Sequence, residues 1–253
     1  MRAAVALAAL SLAACGRVHF DARNGAGSDA PSDSTLAVGL VHYWALDEPP
    51  GAAAASDAIG GLTATLVAPA AFTTAGHRGD ALASNAGGYA SLPSAPPEVV
   101  GVAALTLSAW MQRAGPNQKE QVGQELNAQS TNSYDISIQA WDDGLVYYCL
   151  GTDGQCATTP TGNDTSWHLL TLVFDGSGTS DATRLFGYVD GQPQALSWQN
   201  TEPIPSTSPA MAARFDLGAV TDNEDQDSGT IDDVRIYDRA LSADEVMALY
   251  THT

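Results

Sequence analysis

At 253 residues, 44% hydrophobic and 15% charged, the chain can form one large β-sandwich or two small domains, with enough apolar material for a core. Its 10 Lys and Arg against 29 Asp and Glu give a net charge of -19. So negative a surface repels phosphate backbones and anionic headgroups, which argues against nucleic acid and is compatible with divalent cations and neutral sugars.

In chain order, Arg2 supplies a positive start, and Ala3 to Leu12, interrupted only by Ser11, form an apolar run. The run is too short to span a bilayer and has the length of a signal-peptide core. Leu12-Ala13-Ala14-Cys15-Gly16 follows and resembles the lipobox of bacterial lipoproteins. That resemblance implies a signal peptide over 1–15, diacylation of Cys15 and, with no aspartate after the cysteine, residence at the outer membrane or cell surface. The alternative is a plain secretory signal cleaved near Ala14. Residues 16–38 are rich in Gly, Ala, Ser, Asp and Asn, the composition of a flexible tether.

From Gly39 to Thr253 short apolar runs alternate with turn signals, the pattern of an all-β sandwich. Strands are predicted at Val41–Leu46, Leu105–Gln112, Ile136–Ala140, Leu145–Leu150, His168–Asp175, Leu185–Val189, Phe215–Ala219 and Thr230–Tyr237. Asp142-Asp143-Gly144 and Asp190-Gly191 mark tight turns. In the second of these strands Leu105, Leu107, Ala109 and Met111 share one face, and Thr106, Ser108 and Trp110 the other. Cys149 and Cys156 flank the turn signal Thr152-Asp153-Gly154, and in an oxidising compartment they are expected to form a disulfide rather than a metal site. Ser242-Ala243-Asp244-Glu245 reads as a capping box that opens a terminal helix, with Leu241 and Val246 as a hydrophobic staple and Val246, Leu249 and Tyr250 as its buried stripe.

Several strings, taken in order, resemble the laminin-G-like jellyroll family of the concanavalin A-like lectin and glucanase superfamily. They are Leu40-Val41-His42-Tyr43-Trp44-Ala45-Leu46-Asp47, Asp57-Ala58-Ile59-Gly60-Gly61, and Gly79-Asp80-Ala81-Leu82 with Tyr89-Ala90-Ser91-Leu92, which fit the family's next strand pair. Further on come Leu105 to Trp110, Ser166-Trp167-His168, Gly187-Tyr188-Val189-Asp190-Gly191, and Gly229 to Tyr237 running into Leu241 to Glu245. The resemblance covers residues 39–253. It implies a two-sheet antiparallel jellyroll sandwich, concanavalin A-like, with a short C-terminal helix. It also implies a structural calcium held by Asp47, Asp232 and a carbonyl near Gly60 or Gly61.

Hard cations need six or more oxygens, which suits carboxylates beside backbone carbonyls. The run Asp222 to Asp227 fails as an EF-hand, because Asp227 and Asp233 stand where Gly and Glu are required. Sugar binding, the superfamily's commonest task, needs aromatic faces with polar neighbours. Trp110, Trp141, Tyr147, Tyr148 and Trp198 are the candidates, while Trp44 and Trp167 are assigned to the core. The Glu-x-Asp-x-x-Glu strand of the glucanases is absent, the histidines are scattered, and neither a nucleophile elbow nor a phosphate-binding glycine loop occurs. The expectation is a surface-tethered, non-enzymatic module that binds carbohydrate or an envelope or extracellular protein. The competing readings are a glycan-cleaving enzyme and a purely adhesive envelope protein.

Overall fold

The structure is a computed structural model that describes residues 34–125, 134–152, 155–199, 202–210, 214–218 and 228–253. Cys15, nearly all of the tether and the acidic run 222–227 lie outside these residues. The strands are β1 (Leu40–Trp44), β2 (Ala54–Ser56), β3 (Thr63–Val67), β4 (Ala71–Thr73), β5 (Ala81–Ala83) and β6 (Tyr89–Leu92). They continue with β7 (Ala104–Arg113), β8 (Glu120–Glu125), β9 (Tyr134–Ala140), β10 (Val146–Thr152), β11 (Cys156–Thr159) and β12 (His168–Asp175). The last are β13 (Leu185–Val189), β14 (Gln192–Pro193), β15 (Ser197–Trp198), β16 (Phe215–Gly218) and β17 (Gly229–Tyr237). Two helices, α1 (Asp181–Arg184) and α2 (Ala243–His252), complete the set.

The strands form two antiparallel sheets. The eight-stranded sheet runs β14-β13-β12-β7-β17-β5-β4, with β1 also on β17, and the nine-stranded sheet runs β15-β11-β10-β9-β8-β16-β6-β3-β2. The predicted jellyroll sandwich is therefore the observed one. One expected pairing fails: β5 and β6 are not neighbours but lie in opposite sheets.

Period-two alternation builds the core. Leu105, Leu107, Ala109 and Met111 of β7 pack with Ile136, Ile138, Ala140, Val146, Tyr148 and Leu150 of the facing sheet, and Trp44 lies among them. The turns form where the sequence places them. Asp190 (φ 50°) and Gly191 (φ 75°) both take the left-handed conformation that a two-residue hairpin requires. Cys149 and Cys156 are cross-strand partners on β10 and β11 and are disulfide-bonded, with Cα atoms 4.1 Å apart.

The opposite face of β7 is not open, contrary to the reading of Trp110, Thr106 and Ser108 as an exposed polar face. A second apolar cluster covers it, made by Trp110, Leu169, Val173, Tyr188 and Tyr237 beneath Leu241, Val246 and Leu249 of the α2 region, with Leu36. The two hydroxyls are tolerated because they are paired. Thr106 Oγ1 donates to Arg239 O (2.8 Å) and accepts from Leu241 N (3.0 Å), and Ser108 Oγ pairs with Thr171 Oγ1 (2.8 Å). Leu36, placed in the tether by composition, is fully buried here, so packed structure begins before Gly39. Ser242 caps α2 as expected, accepting from Glu245 N (3.3 Å) while Glu245 Oε2 accepts from Ser242 N (2.8 Å). Tyr250 of the predicted stripe is half-buried, and so is Trp167, which was assigned to the core. Among the described residues no helix is long and apolar enough to cross a membrane.

Candidate functional site

Alternation on β9 and β10 sends Ile138, Ala140, Val146 and Tyr148 inward, and thereby Trp141 and Tyr147 outward at one end of the nine-stranded sheet. Their rings lie 5.5 Å apart at 47°, and Lys119 Nζ sits 4.4 Å from the Trp141 ring centre. Both polar ends are fixed. Trp141 Nε1 donates to Gln139 Oε1 (2.5 Å), Gln139 Nε2 donates to Ser137 Oγ (2.7 Å), and Tyr147 Oη donates to Asp143 Oδ2 (2.6 Å). Burial, reinforced by Asp143 and Asp142, pushes the Tyr147 hydroxyl up to about 12, so it stays a donor.

The backbone beneath is held by Arg113, a buried guanidinium at the end of β7. Its Nη1 donates to Pro116 O, Gln118 O and Trp141 O, each at 3.1 Å, and its Nη2 donates to Asn163 O. Asn163 Nδ2 also donates to Trp141 O (2.8 Å). The aromatic pair is thus positioned before any ligand arrives.

Register carries that end across the sheet. Tyr147, Gln139, Gln121, Gly218 and Tyr89 form one cross-strand row, and Cys149, Ser137, Gly123, Asp216 and Ser91 form the next. At the far end the Arg214 guanidinium lies 4.8 Å over the Tyr89 ring; its Nε pairs with Asp216 Oδ2 (2.8 Å) and its Nη1 donates to Tyr89 Oη (3.2 Å). The buried Asp216 carboxyl also has the Ser91 side chain as a hydrogen-bond partner. Burial pushes the Asp216 carboxyl up.

The other predicted aromatics are enclosed to different degrees. Tyr148 is fully buried and donates to Tyr188 O (2.8 Å), because it shares the parity of Val146 and Leu150; it is withdrawn as a ligand contact. Trp110 is withdrawn too. It is 4% exposed, stacked at 3.5 Å on His77, and its Nε1 donates to Thr253 Oγ1 (3.1 Å). Trp198 pairs with Ala157 at the sheet edge, packs partly on the core, and lines a cavity of about 220 Å³ with Ala182, Leu185, Phe186, Gln194 and Leu196.

Of the predicted metal ligands, Asp47 and Asp232 are brought to one loop. Asp47 Oδ1 accepts from Asp80 N (2.8 Å) and Asp232 Oδ2 from Arg78 N (3.0 Å). A β-bulge between Asp232 and Arg235, with Asp233 at φ 53°, adds a carboxylate the sequence reading missed. Asp233 Oδ1 accepts from Tyr43 Oη (2.5 Å) and Arg235 Nη2 (3.1 Å). Burial, with Asp233 and Asp47 adding, pushes the Asp232 carboxyl up to about 8, and Asp232 Oδ1 and Asp233 Oδ2 are buried without hydrogen-bond partners among the described residues.

Gly61 does not belong to that group. Its exposed turn is organised by Asp57, whose Oδ1 accepts from Tyr43 N, Ile59 N and Gly60 N at 2.9 to 3.0 Å and whose Oδ2 pairs with His42 Nδ1 (2.7 Å). His42 Nε2 in turn meets Glu98 Oε2 (3.0 Å). Among the described residues no three His, Cys, Asp or Glu side chains are grouped so as to hold a metal by themselves.

Two facing antiparallel sheets, closed on one outer face by a C-terminal helix, define a lectin-type sandwich domain. The chain belongs to the Concanavalin A-like lectin/glucanases superfamily, whose laminin-G-type family model matches residues 84–247. Among solved structures, a Trypanosoma rangeli sialidase in complex with sialic acid is similar at a TM-score of 0.57 and 18% identity, over 84% of this chain and 32% of that one. The botulinum neurotoxin serotype D ligand binding domain in complex with N-acetylneuraminic acid is similar at a TM-score of 0.58 and 12% identity, over 84% of this chain and 50% of that one. The chain thus spans a third to a half of these proteins, and at such identities the likeness is one of fold. A search of the curated proteins finds no match.

Proposed function

We propose that the protein is a non-enzymatic, surface-tethered recognition module that binds carbohydrate on the outer face of the nine-stranded sheet. The observation that carries this reading is the half-exposed Trp141–Tyr147 pair, whose indole N–H and phenol are already hydrogen-bonded and whose backbone is clamped by Arg113. Pre-positioned rings beside amides and carboxylates suit a pyranose, which offers an apolar face and a ring of hydroxyls. The sialic acid complexes among the structural relatives support a sugar at the level of ligand class. The non-enzymatic choice rests on the missing Glu-x-Asp-x-x-Glu strand.

A glycan array probed with the Cys15→Ser chain tests the reading. Binding that Trp141→Ala abolishes at an unchanged melting temperature supports it. Silence across the array with retained capture of envelope proteins would favour the adhesive role, and turnover of any glycan would favour an enzyme. Export rests on the lipobox-like Leu12 to Cys15 string, and mass spectrometry of the N-terminal peptide decides it by the presence or absence of acyl chains on Cys15.

We also propose a structural calcium on the buried carboxylates of Asp232 and Asp233, with Asp47 on the adjoining loop. The fit is supported by the unpaired buried oxygens Asp232 Oδ1 and Asp233 Oδ2, which a hard cation would satisfy, with carbonyls or water completing its shell. When bound, the ion would neutralise the mutual repulsion of these carboxylates and tie loop 76–80 to β17. A melting midpoint indifferent to chelator in both the parent and Asp232→Ala removes this assignment.

A further inference from the structure

We infer that the cavity beside Trp198 takes the uncharged apolar tail of an amphiphilic glycan, a chain of about six to eight carbons, whose sugar lies on the Trp141–Tyr147 face. The inference rests on the reading of that pair as a sugar platform and adds the chemistry of what is linked to the sugar.

Topology makes the cavity. β14 and β15, two residues each, are edge strands of opposite sheets, and the chain crosses from one edge to the other through residues 194–196. Strands so short do not close the seam between the sheets. Leu196 and Trp198 line it from one side and Leu185 and Phe186 of β13 from the other, while the exposed Ala182 and Ala195 leave it open to solvent. Trp198 faces the seam because it stands in register with Ala157 and Tyr148, both core residues. Further in, the same row fills the seam: Tyr148 packs so closely on Gly187 that a Cβ there would lie 2.4 Å from its ring.

The lining sets the chemistry. The cavity holds about 220 Å³, and about 150 Å³ of apolar cavity is enough for a benzene ring. No lining side chain is charged. The two charged residues of α1 are engaged elsewhere, Arg184 with Gly178 O (2.8 Å) and Ile204 O (2.6 Å), and Asp181 with Ile204 N (2.8 Å). The single amide, Gln194, is bonded through Nε2 to Gln192 O (2.9 Å) and through Oε1 to Thr159 Oγ1 (3.5 Å). A charged or hydroxyl-rich group would give up water here for few partners, whereas an apolar chain gives up nothing.

Register joins the cavity to the platform. Tyr147, Thr158 and Ser197 form one cross-strand row, so Ser197 lies at the sheet edge about 10 Å from Tyr147, two inter-strand spacings away. Along that strip Gln199 Nε2 donates to Thr158 Oγ1 (3.2 Å), which donates to Ser197 O (3.3 Å). A sugar on the aromatic pair would thus deliver its linked group to the seam over hydroxyls and an amide.

The test is calorimetry on the full chain carrying Cys15→Ser, free of acyl groups and detergent, with two series of four to ten carbons kept below their micelle concentrations: n-alkyl β-glucosides and n-alkanols. Affinity is expected to rise about fourfold per methylene in both series and to level at about six to eight carbons. Leu196→Glu and Ala182→Phe should each flatten both series. Trp141→Ala should weaken the glucosides at every length and leave the alkanols unchanged. Affinity independent of chain length, or slopes unchanged in both cavity variants, overturns the inference while the Trp141 platform stands. Glucosides indifferent to Trp141→Ala, with the alkanol slope intact, overturn the joint ligand together with the platform reading. Should Leu196→Glu fail to fold, Ala182→Phe, at an exposed position, decides alone.

Discussion

The Trp110 indole donates to Thr253 Oγ1 across 3.1 Å, which ties the end of α2 to the centre of the eight-stranded sheet. Thr253 Oγ1 itself donates to Leu249 O (2.6 Å), so the hydroxyl serves the sheet and the helix at once. Removing the ring should therefore uncouple α2. Trp110→Ala is expected to cost about 4 kcal/mol in urea unfolding, and Thr253→Val about 1 kcal/mol. A Trp110→Ala cost below that of Thr253→Val would contradict this packing.

The cap of the same helix gives a smaller, pH-dependent effect. Ser242→Ala should destabilise by about 1 kcal/mol. The Arg239 guanidinium, bonded to both Glu245 oxygens at 2.7 and 2.9 Å, holds Glu245 down at about 2. Its stabilising share is complete above the ordinary carboxylate range and is lost as pH falls through about 2. Acid unfolding of Glu245→Gln, compared with the parent between pH 5 and pH 2, should show a flatter slope over that window.

His42 is buried between two carboxylates. Burial opposes its charging, but the bonds to Asp57 and Glu98 outweigh burial and raise its pKa. The stability it contributes is fully present below pH about 6.5 and is lost as pH rises through the raised value. At Asp57 burial is likewise outweighed, by His42 and three backbone N–H donors, and the carboxyl is lowered to about 2. His42→Gln should cost about 3 kcal/mol below neutrality and less at alkaline pH, read from urea midpoints over a pH series. A cost independent of pH would mean that the imidazole is neutral in the fold.

The Cys149–Cys156 bridge closes a loop with a sequence separation of 7. Loop entropy predicts a loss of about 2 to 3 kcal/mol in the double serine variant. Because the bridge joins β10 to β11 within one continuous sheet, thermal unfolding should remain a single transition; a separate early step would show that β10 and β11 part independently.

The longer strands could be read from the chain because alternation of large apolar residues over five or more positions leaves little ambiguity. The shorter ones could not: Ala54–Ser56, Ala71–Thr73 and Ala81–Ala83 are built on small residues with weak strand preference, and their neighbours in space set them. Among the aromatics, parity separates the two tyrosines, since Tyr148 falls in step with Val146 and Leu150 while Tyr147 does not. Trp110 misled for a different reason. Hydroxyls on its face suggested solvent, whereas they are paired beneath a helix that sequence alone does not dock. Asp47 and Asp232 meet through residues 78–80, and the bulge at Asp233 lies in the pairing of β17 with the distant strand β7. None of these contacts is local.

Leu36 fixes the direction of approach. Arg239 donates to Val38 O (2.9 Å) and Thr35 O (3.3 Å), so the incoming chain is strapped to the helix-covered side of the sandwich. The described chain therefore begins on the back of the molecule, about two sheet thicknesses from Trp141 and Tyr147. A protein held from that side would present its aromatic pair outward.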